Sequence, residues 1–232
     1  MPTALIIGAG PNIGKASAEA FAAAGYQVAV ASRTQSLGPK YQHYSFDATH
    51  PEKVPELFEK VSTDLGAPSV VIYNAAYGKM TSPDNPFEQS AEEFQASLNA
   101  NTIGPFIAAG EAVKGFEKLG STGGTFIFTG NILNVTVIPG MMAFGMQKGA
   151  TANMIRYLAI GAYNGKPYKF YYADQRHEDG TFVTSDLSGV GHANLFLDLV
   201  KDGKQRPWDQ TFVAGKGYVE FPQEAILYWK RQ

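Results

Sequence analysis

Three glycines fall within seven residues, Gly8-Ala9-Gly10-Pro11-Asn12-Ile13-Gly14, directly after an apolar run and directly before an alanine-rich stretch. Small residues at such a turn let the backbone approach a phosphate. A helix start beside it offers unpaired N–H groups and the positive end of a dipole. The chemistry implied is pyrophosphate binding in a dinucleotide, with Gly8, Gly10, Asn12, Ile13 and Gly14 as its candidate residues. A second pair, Ser32-Arg33, closes the next apolar run. An acidic residue there would bond the ribose hydroxyls of NAD. A hydroxyl beside a planar guanidinium instead suits a 2′-phosphate, so this pair predicts NADP(H).

The elements that must position these residues alternate in character. Apolar runs at Thr3–Gly8, Gln27–Ser32, Tyr41–Phe46, Ser69–Tyr73, Thr125–Thr129, Tyr168–Ala173 and Thr211–Ala214 predict strands. Between them, Gly14–Ala24, Pro51–Leu65, Ala91–Lys118, Met142–Tyr163 and Gly191–Lys201 read as helical. Strands alternating with helices imply a parallel sheet covered on both faces. The expected fold class is α/β, a single doubly wound Rossmann domain over residues 1–232 with a parallel sheet of about seven strands. Only Arg33 to Lys40 joins the second strand to the third, with a Gly-Pro inside. That is below the ~10–12 residues of a usual parallel crossover, so its helix is expected to be stunted or absent.

Composition narrows the function classes. The chain has 232 residues, of which 44% are hydrophobic and 17% charged, enough apolar material for a sizeable core. A formal charge of -2 lacks the basic excess of a nucleic-acid or acidic-membrane binder. With no cysteine there is no thiol nucleophile and no disulfide. His43, His50 and His192 show no metal-ligand spacing, so no metal site is expected. No apolar run approaches the ~20 residues of a membrane span, and a cytoplasmic protein without membrane or nucleic-acid partners is the expectation.

Placed on these elements, the residues resemble the short-chain dehydrogenase/reductase family along essentially the whole chain. Gly8, Asn12 and Gly14 take the places of the family's Gly-x-x-x-Gly-x-Gly, with Asn12 in place of the middle glycine; Asn also tolerates a left-handed backbone. The resemblance implies that Asp47 contacts adenine and that Tyr73-Asn74-Ala75-Ala76 stands for the family's Asn-Asn-Ala-Gly, so Asn74 and Ala75 join the cofactor residues. It implies that Asn101 is the helix asparagine that orders a water behind the catalytic lysine. Lys148 matches that lysine, which also holds the nicotinamide ribose. Four residues before it the family has tyrosine and this chain has Phe144. Thirteen residues earlier still, the family has serine and this chain has Asn131, with Thr129 as another strand-end hydroxyl.

The missing tyrosine governs the expected activity. The family's tyrosine gives a proton to the carbonyl oxygen, and loss of a positioned acid typically costs ~10²–10⁴ in rate. Asn131 could donate a hydrogen bond to a carbonyl but no proton. Tyr77, and less so Tyr73, are candidates for a relocated acid, while His177 in a dense charged run reads as a solvated loop. The reading is an NADP(H)-dependent oxidoreductase on a small carbonyl or conjugated compound with a non-standard proton donor. The alternatives are an NADP(H)-binding protein with little redox turnover, and non-redox chemistry such as isomerisation. The sequence after Ala173 departs from the family's Pro-Gly, with Gly180-Thr181-Phe182-Val183 as a loose substitute. Trp208 and the Tyr228-Trp229 pair are apolar anchors for the core or for a second subunit. A homodimer or homotetramer is expected through the helices at Ala91–Lys118 and Met142–Tyr163.

Overall fold

The computed structural model describes residues 1–221. The Tyr228-Trp229 pair lies outside the described residues. The strands are β1 (Thr3–Ile7), β2 (Gln27–Ser32), β3 (Gln42–Ser45), β4 (Pro68–Tyr73), β5 (Gly124–Thr129), β6 (Tyr168–Arg176), β7 (Asp209–Val213) and β8 (Gly217–Tyr218). The helices are α1 (Ile13–Ala23), α2 (Val54–Leu65), α3 (Ala91–Leu98), α4 (Gly104–Leu119), α5 (Met142–Tyr157) and α6 (Gly189–Lys201). One sheet runs β3-β2-β1-β4-β5-β6-β7-β8. Its first seven strands are parallel, as expected; the eighth is a two-residue antiparallel edge that pairs Tyr218 with Phe212. Such a short strand carries no periodicity, so nothing in the sequence announces it.

Alternation along the strands splits the core into two layers. Leu5 and Ile7 of β1 face one layer with Leu57 of α2, Ala112 of α4 and Ile155 of α5. Ala4 and Ile6 face the other with Phe21 of α1 and Phe196 of α6. Because successive side chains point to opposite faces, a strand buried on both sides must be apolar at every position, as β1 is. The strand order reverses between β1, β2 and β4, which opens a crevice at the strands' C-terminal ends. No helix joins β2 to β3; Ser36 Oγ instead donates to the carbonyl of Ala9 at 3.1 Å, pinning the short loop beside the glycine turn.

Three elements differ from the sequence expectation. The long helix expected at Ala91–Lys118 is two helices separated by a π-turn, Asn99–Ile103. Pro105 has no N–H to give, which frees carbonyls in the preceding turn. Tyr73 Oη donates to the carbonyl of Ala100 at 3.0 Å and Thr151 Oγ1 to that of Asn101 at 2.6 Å. Likewise α5 ends at Tyr157 and passes into a π-turn, Leu158–Ala162, so the helix expected to Tyr163 is shorter. Finally, β6 does not end at Ala173. It continues through Asp174-Gln175-Arg176, because Asp174 and Arg176, two residues apart, share a face and pair with each other.

His192 on α6 is buried, and its Nδ1 donates to the Ser188 carbonyl at 2.8 Å, while its ring meets Phe212 edge-on at 4.8 Å. Burial lowers its pKa to about 4, with the Ser188 contact opposing. The unfolded chain therefore takes up a proton first as pH falls, and stability drops between about pH 6.5 and 4 by roughly 3 kcal/mol. Urea unfolding at pH 7.5 and 4.5 tests this. His192→Leu should flatten that part of the pH slope, and an unchanged slope would refute it.

Candidate functional site

A groove of about 470 Å³ lies in the crevice, with Gly10, Arg33, Asp47, Asn74 and Tyr77 among its walls. Gly8 and Gly10 serve it differently. Gly8 has φ +93°, and a Cβ there would collide with the backbone of Ala75, so only glycine lets β1 and the end of β4 close together. A Cβ on Gly10 would meet nothing within 4 Å, which leaves its backbone open to the groove. Gly14 at the start of α1 packs against Ala9 and the carbonyl of Gly8 too closely for any side chain. Asn12 is not left-handed: its φ is -100°, in a chain whose positive-φ residues are all glycine among those described. Its side chain instead donates to the Leu187 carbonyl at 2.9 Å, tying the turn to the segment that begins α6. That tertiary contact, rather than backbone tolerance, is what the asparagine supplies.

At the rim, Ser32 Oγ donates to the Thr34 carbonyl at 2.8 Å and lies 3.2 Å from His43 Nε2, while Arg33 is exposed. Asp47 Oδ1 accepts from the N–H and hydroxyl of Thr49, both at 2.9 Å. The Thr49 N–H holds its carboxyl below the usual range, with Arg33 among the lesser causes. Asn74 Nδ2 donates to the Gly8 carbonyl at 2.8 Å, so the motif after β4 braces the glycine turn.

Lys148, Asn131 and Phe144 are not walls of that groove. Lys148 is 3% exposed; its Nζ donates to the Thr129 carbonyl at 3.0 Å and sits 4.3 Å over the Phe128 ring. Burial lowers its pKa to about 7, partly offset by the carboxylate of Asp174. The Phe144 ring lies so close on Gly78 that a Cβ there would overlap it. Asn131 Oδ1 accepts from Leu133 N–H at 3.1 Å, capping the turn after β5. Its backbone is fixed by Tyr172, whose hydroxyl donates to the Asn131 carbonyl at 2.8 Å and accepts its N–H at 3.1 Å. The Thr129 hydroxyl is buried without a partner.

Asn101 is fully buried, and its Nδ2 donates to the carbonyls of Tyr77 at 2.5 Å and Ser97 at 2.9 Å and to Gln147 Oε1 at 3.0 Å. It thereby fixes the loop that carries Tyr77, a residue 42% exposed. Ser97 Oγ also donates to Gln147 Oε1, at 2.7 Å. Sequence reading missed Gln147 and Ser97. The only signal available was a polar residue at a core-facing position of each helix, visible once the faces are known. His177 is in the solvated loop expected of it, with its Nδ1 3.7 Å from Asp186. Among the described residues no group of three or more metal-ligating side chains assembles, and no helix is long and apolar enough to cross a membrane.

Also missed was a charged cluster at the ends of β6 and β7. Arg176 Nε and Nη2 both approach Asp174 Oδ2 at 2.6 Å, and Nη1 donates to the Gly180 carbonyl at 3.2 Å. Asp209 Oδ2 accepts from Asn134 Nδ2 at 3.4 Å. Burial pushes Asp174 up to about 7 and Asp209 up to about 6, with Arg176 opposing in each case. The Asp-x-Arg spacing on a strand was the available signal. Trp208 packs 6.4 Å from the Tyr172 ring beside this cluster, as a core anchor.

Comparisons with known proteins agree with this architecture. A sequence family described as enoyl-(acyl carrier protein) reductase matches residues 8–164. A short chain dehydrogenase/reductase of Cryptosporiopsis sp. is 39% identical over 237 residues, covering 96% of each chain. An alcohol dehydrogenase of the archaeon Thermococcus sibiricus, solved with 5-hydroxy-NADP, superposes with a TM-score of 0.73 at 21% identity, covering 95% of this chain and all of that one. A 4-hydroxyisoleucine dehydrogenase solved with NADH gives a TM-score of 0.79 at 15% identity, covering 93% of this chain and 98% of that one. At those identities the structures speak for the fold, and they carry either nicotinamide cofactor.

Proposed function

Because the chain belongs to the short-chain dehydrogenase/reductase family, we propose that it is an NADP(H)-dependent oxidoreductase acting on a small carbonyl or conjugated compound. The observation that carries the reading is the groove itself: an open glycine backbone at Gly10, with Ser32 and Arg33 rather than a carboxylate at the end of β2. Gly10, Ile13 and Gly14 at the start of α1 would hold the pyrophosphate, Arg33 the 2′-phosphate, and Asp47 the adenine. NADPH supplies a hydride when bound.

This chain's own residues then have three tasks. Asn74 and Ala75 keep the glycine turn closed on β4. Lys148, at the position of the family's lysine, would meet the nicotinamide ribose and stabilise negative charge nearby; a pKa near 7 lets it hold or give up a proton at working pH. Asn131 would polarise a carbonyl by hydrogen bonding. Phe144 in the tyrosine's place gives no proton, so a non-standard donor is part of the proposal. Tyr77 is the candidate, because it lines the groove and Asn101 fixes its backbone.

One observation favours the second reading, a cofactor-binding protein with little turnover. Lys148 is committed to Thr129, and the Phe144 ring closes on Gly78. A panel of aldehydes, ketones and enones with NADPH separates the two. Turnover above the cofactor's own decay supports the oxidoreductase, and none supports the binder. Arg33→Ala should weaken NADPH by about 2 kcal/mol, the loss of a charge-assisted contact, while sparing NADH. Calorimetry reads this, and equal losses for both cofactors would sink the assignment of Arg33. Exposed Phe106 on α4 and Met146 and Tyr157 on α5 support assembly as a homodimer or homotetramer through those helices. A cytoplasmic location is part of the same reading.

A further inference from the structure

Beside the Asp174–Arg176 pair is a pocket of about 210 Å³, with Val135, Arg176, Trp208, Asp209 and Tyr218 among its walls. Arg176, at the C-terminal end of β6, forms one wall, Trp208 and Asp209, at the start of β7, form another, and Val135 comes from the loop that follows Asn131. Three features make it a built site. Arg176, held by Asp174 and the Gly180 carbonyl, is only 4% exposed and yet lines it, which puts a fixed positive charge in the wall. Its walls include an indole and a phenol. Asp209 is one of its walls, and the Asp209 Oδ1 is buried without any hydrogen-bond donor.

A buried carboxylate oxygen without a donor is costly, and the cost vanishes when a ligand brings one. The ligand need not bring a positive charge, because Arg176 and Lys148 already act on Asp174 and offset the two carboxylates. Size fits as well: a cavity of about 150 Å³ accommodates benzene, so about 210 Å³ has room for one substituted ring. We propose that this pocket is a substrate-recognition subsite for a single-ring aryl compound, whose hydroxyl donates to Asp209 while the ring lies between Trp208 and Tyr218. The proposal rests on the reading above, that the substrate is a small carbonyl or conjugated compound, and gives that substrate a hydroxyaryl end. Trp208 would then be a contact residue as well as a core anchor.

The test uses binding and not turnover, so it stands apart from whether the chain reduces anything. The full chain saturated with NADPH is titrated by calorimetry with 4-hydroxyacetophenone and with 4-methoxyacetophenone, which keeps the ring and lacks the donor. The hydroxyl compound is expected to bind at least ~10-fold more tightly, since a site built for a donor rejects the analogue without one. Asp209→Asn should cut that preference to less than about threefold while NADPH affinity stays unchanged, which also reports that the variant is folded. Tyr218→Ala, on the exposed edge strand, should weaken both compounds about equally. Equal binding of the two probes, binding of neither, or a preference that survives Asp209→Asn would each overturn the proposal. Discriminating binding without any NADPH oxidation would uphold the subsite and count against the oxidoreductase reading.

Discussion

Phe144→Tyr combined with Asn131→Ser is expected to raise NADPH-dependent reduction of a small aldehyde or ketone by ~10²-fold or more in kcat/KM. Lys148 lies one helical turn from residue 144 on α5. A phenol there restores the proton that phenylalanine lacks, and the nearby ammonium favours its ionised form. The serine is tolerated locally: its Oγ can accept from Leu133 N–H as Asn131 Oδ1 does, because serine is as good a cap as asparagine. The single variant Phe144→Tyr should gain less, since the hydrogen bond to the substrate oxygen would still come from a longer, differently directed amide. Steady-state kinetics on the same panel of carbonyl compounds measures the effect. A double variant that binds NADPH normally and gains nothing would show that the cleft is not shaped for carbonyl reduction.

Arg176→Ala is expected to destabilise the fold by about 3–5 kcal/mol, the usual cost of stranding one member of a buried ion pair. Asp174 is fully buried, and its Oδ2 has Arg176 as its partner, at 2.6 Å from Nε. Without the guanidinium its carboxyl must be protonated to stay inside and its pKa rises further, so the variant should go on losing stability above about pH 7, where the parent's loss from this group has levelled off. The sign follows from burial: a carboxyl whose folded pKa is raised costs stability as pH climbs from its unfolded value through its folded one. Replacing both members, Asp174→Leu with Arg176→Met, should recover most of the loss, because apolar residues of similar volume carry no desolvation cost. Denaturant unfolding at pH 6 and 8 reads both effects. An Arg176→Ala variant within about 1 kcal/mol of the parent would mean that the pair contributes little to the fold.

Much of the cofactor half is legible in the amino-acid sequence. Gly8, Gly14 and the apolar alternation of β1 are local facts: a turn needing glycine, and a strand buried on both faces, declare themselves within a few residues. The absent helix after Arg33 follows from chain length alone. Boundaries within helices are less legible. Pro105 withholds one N–H, and whether the helix bends, breaks or widens there depends on Tyr73 and Thr151, which stand 32 and 46 residues away along the chain and donate to the carbonyls of Ala100 and Asn101.

By itself the sequence determined the layered α/β architecture, the glycine turn after β1, the Ser32-Arg33 pair at the end of β2, and the phenylalanine where the family has tyrosine. These rest on local geometry and on residue type at a known spacing. Only the tertiary structure decided what the remaining polar residues do. It turned Asn12 toward Leu187, buried Lys148 against Thr129 and Phe128, and laid Phe144 on Gly78. It also brought Arg176 and Asp209 from two neighbouring strands to one pocket, with Asp174 behind Arg176 as its ion-pair partner. The physical reason is common to all of these. A polar side chain's environment, and so its charge and its role, is set by groups distant in sequence, and those meet only when the sheet is assembled.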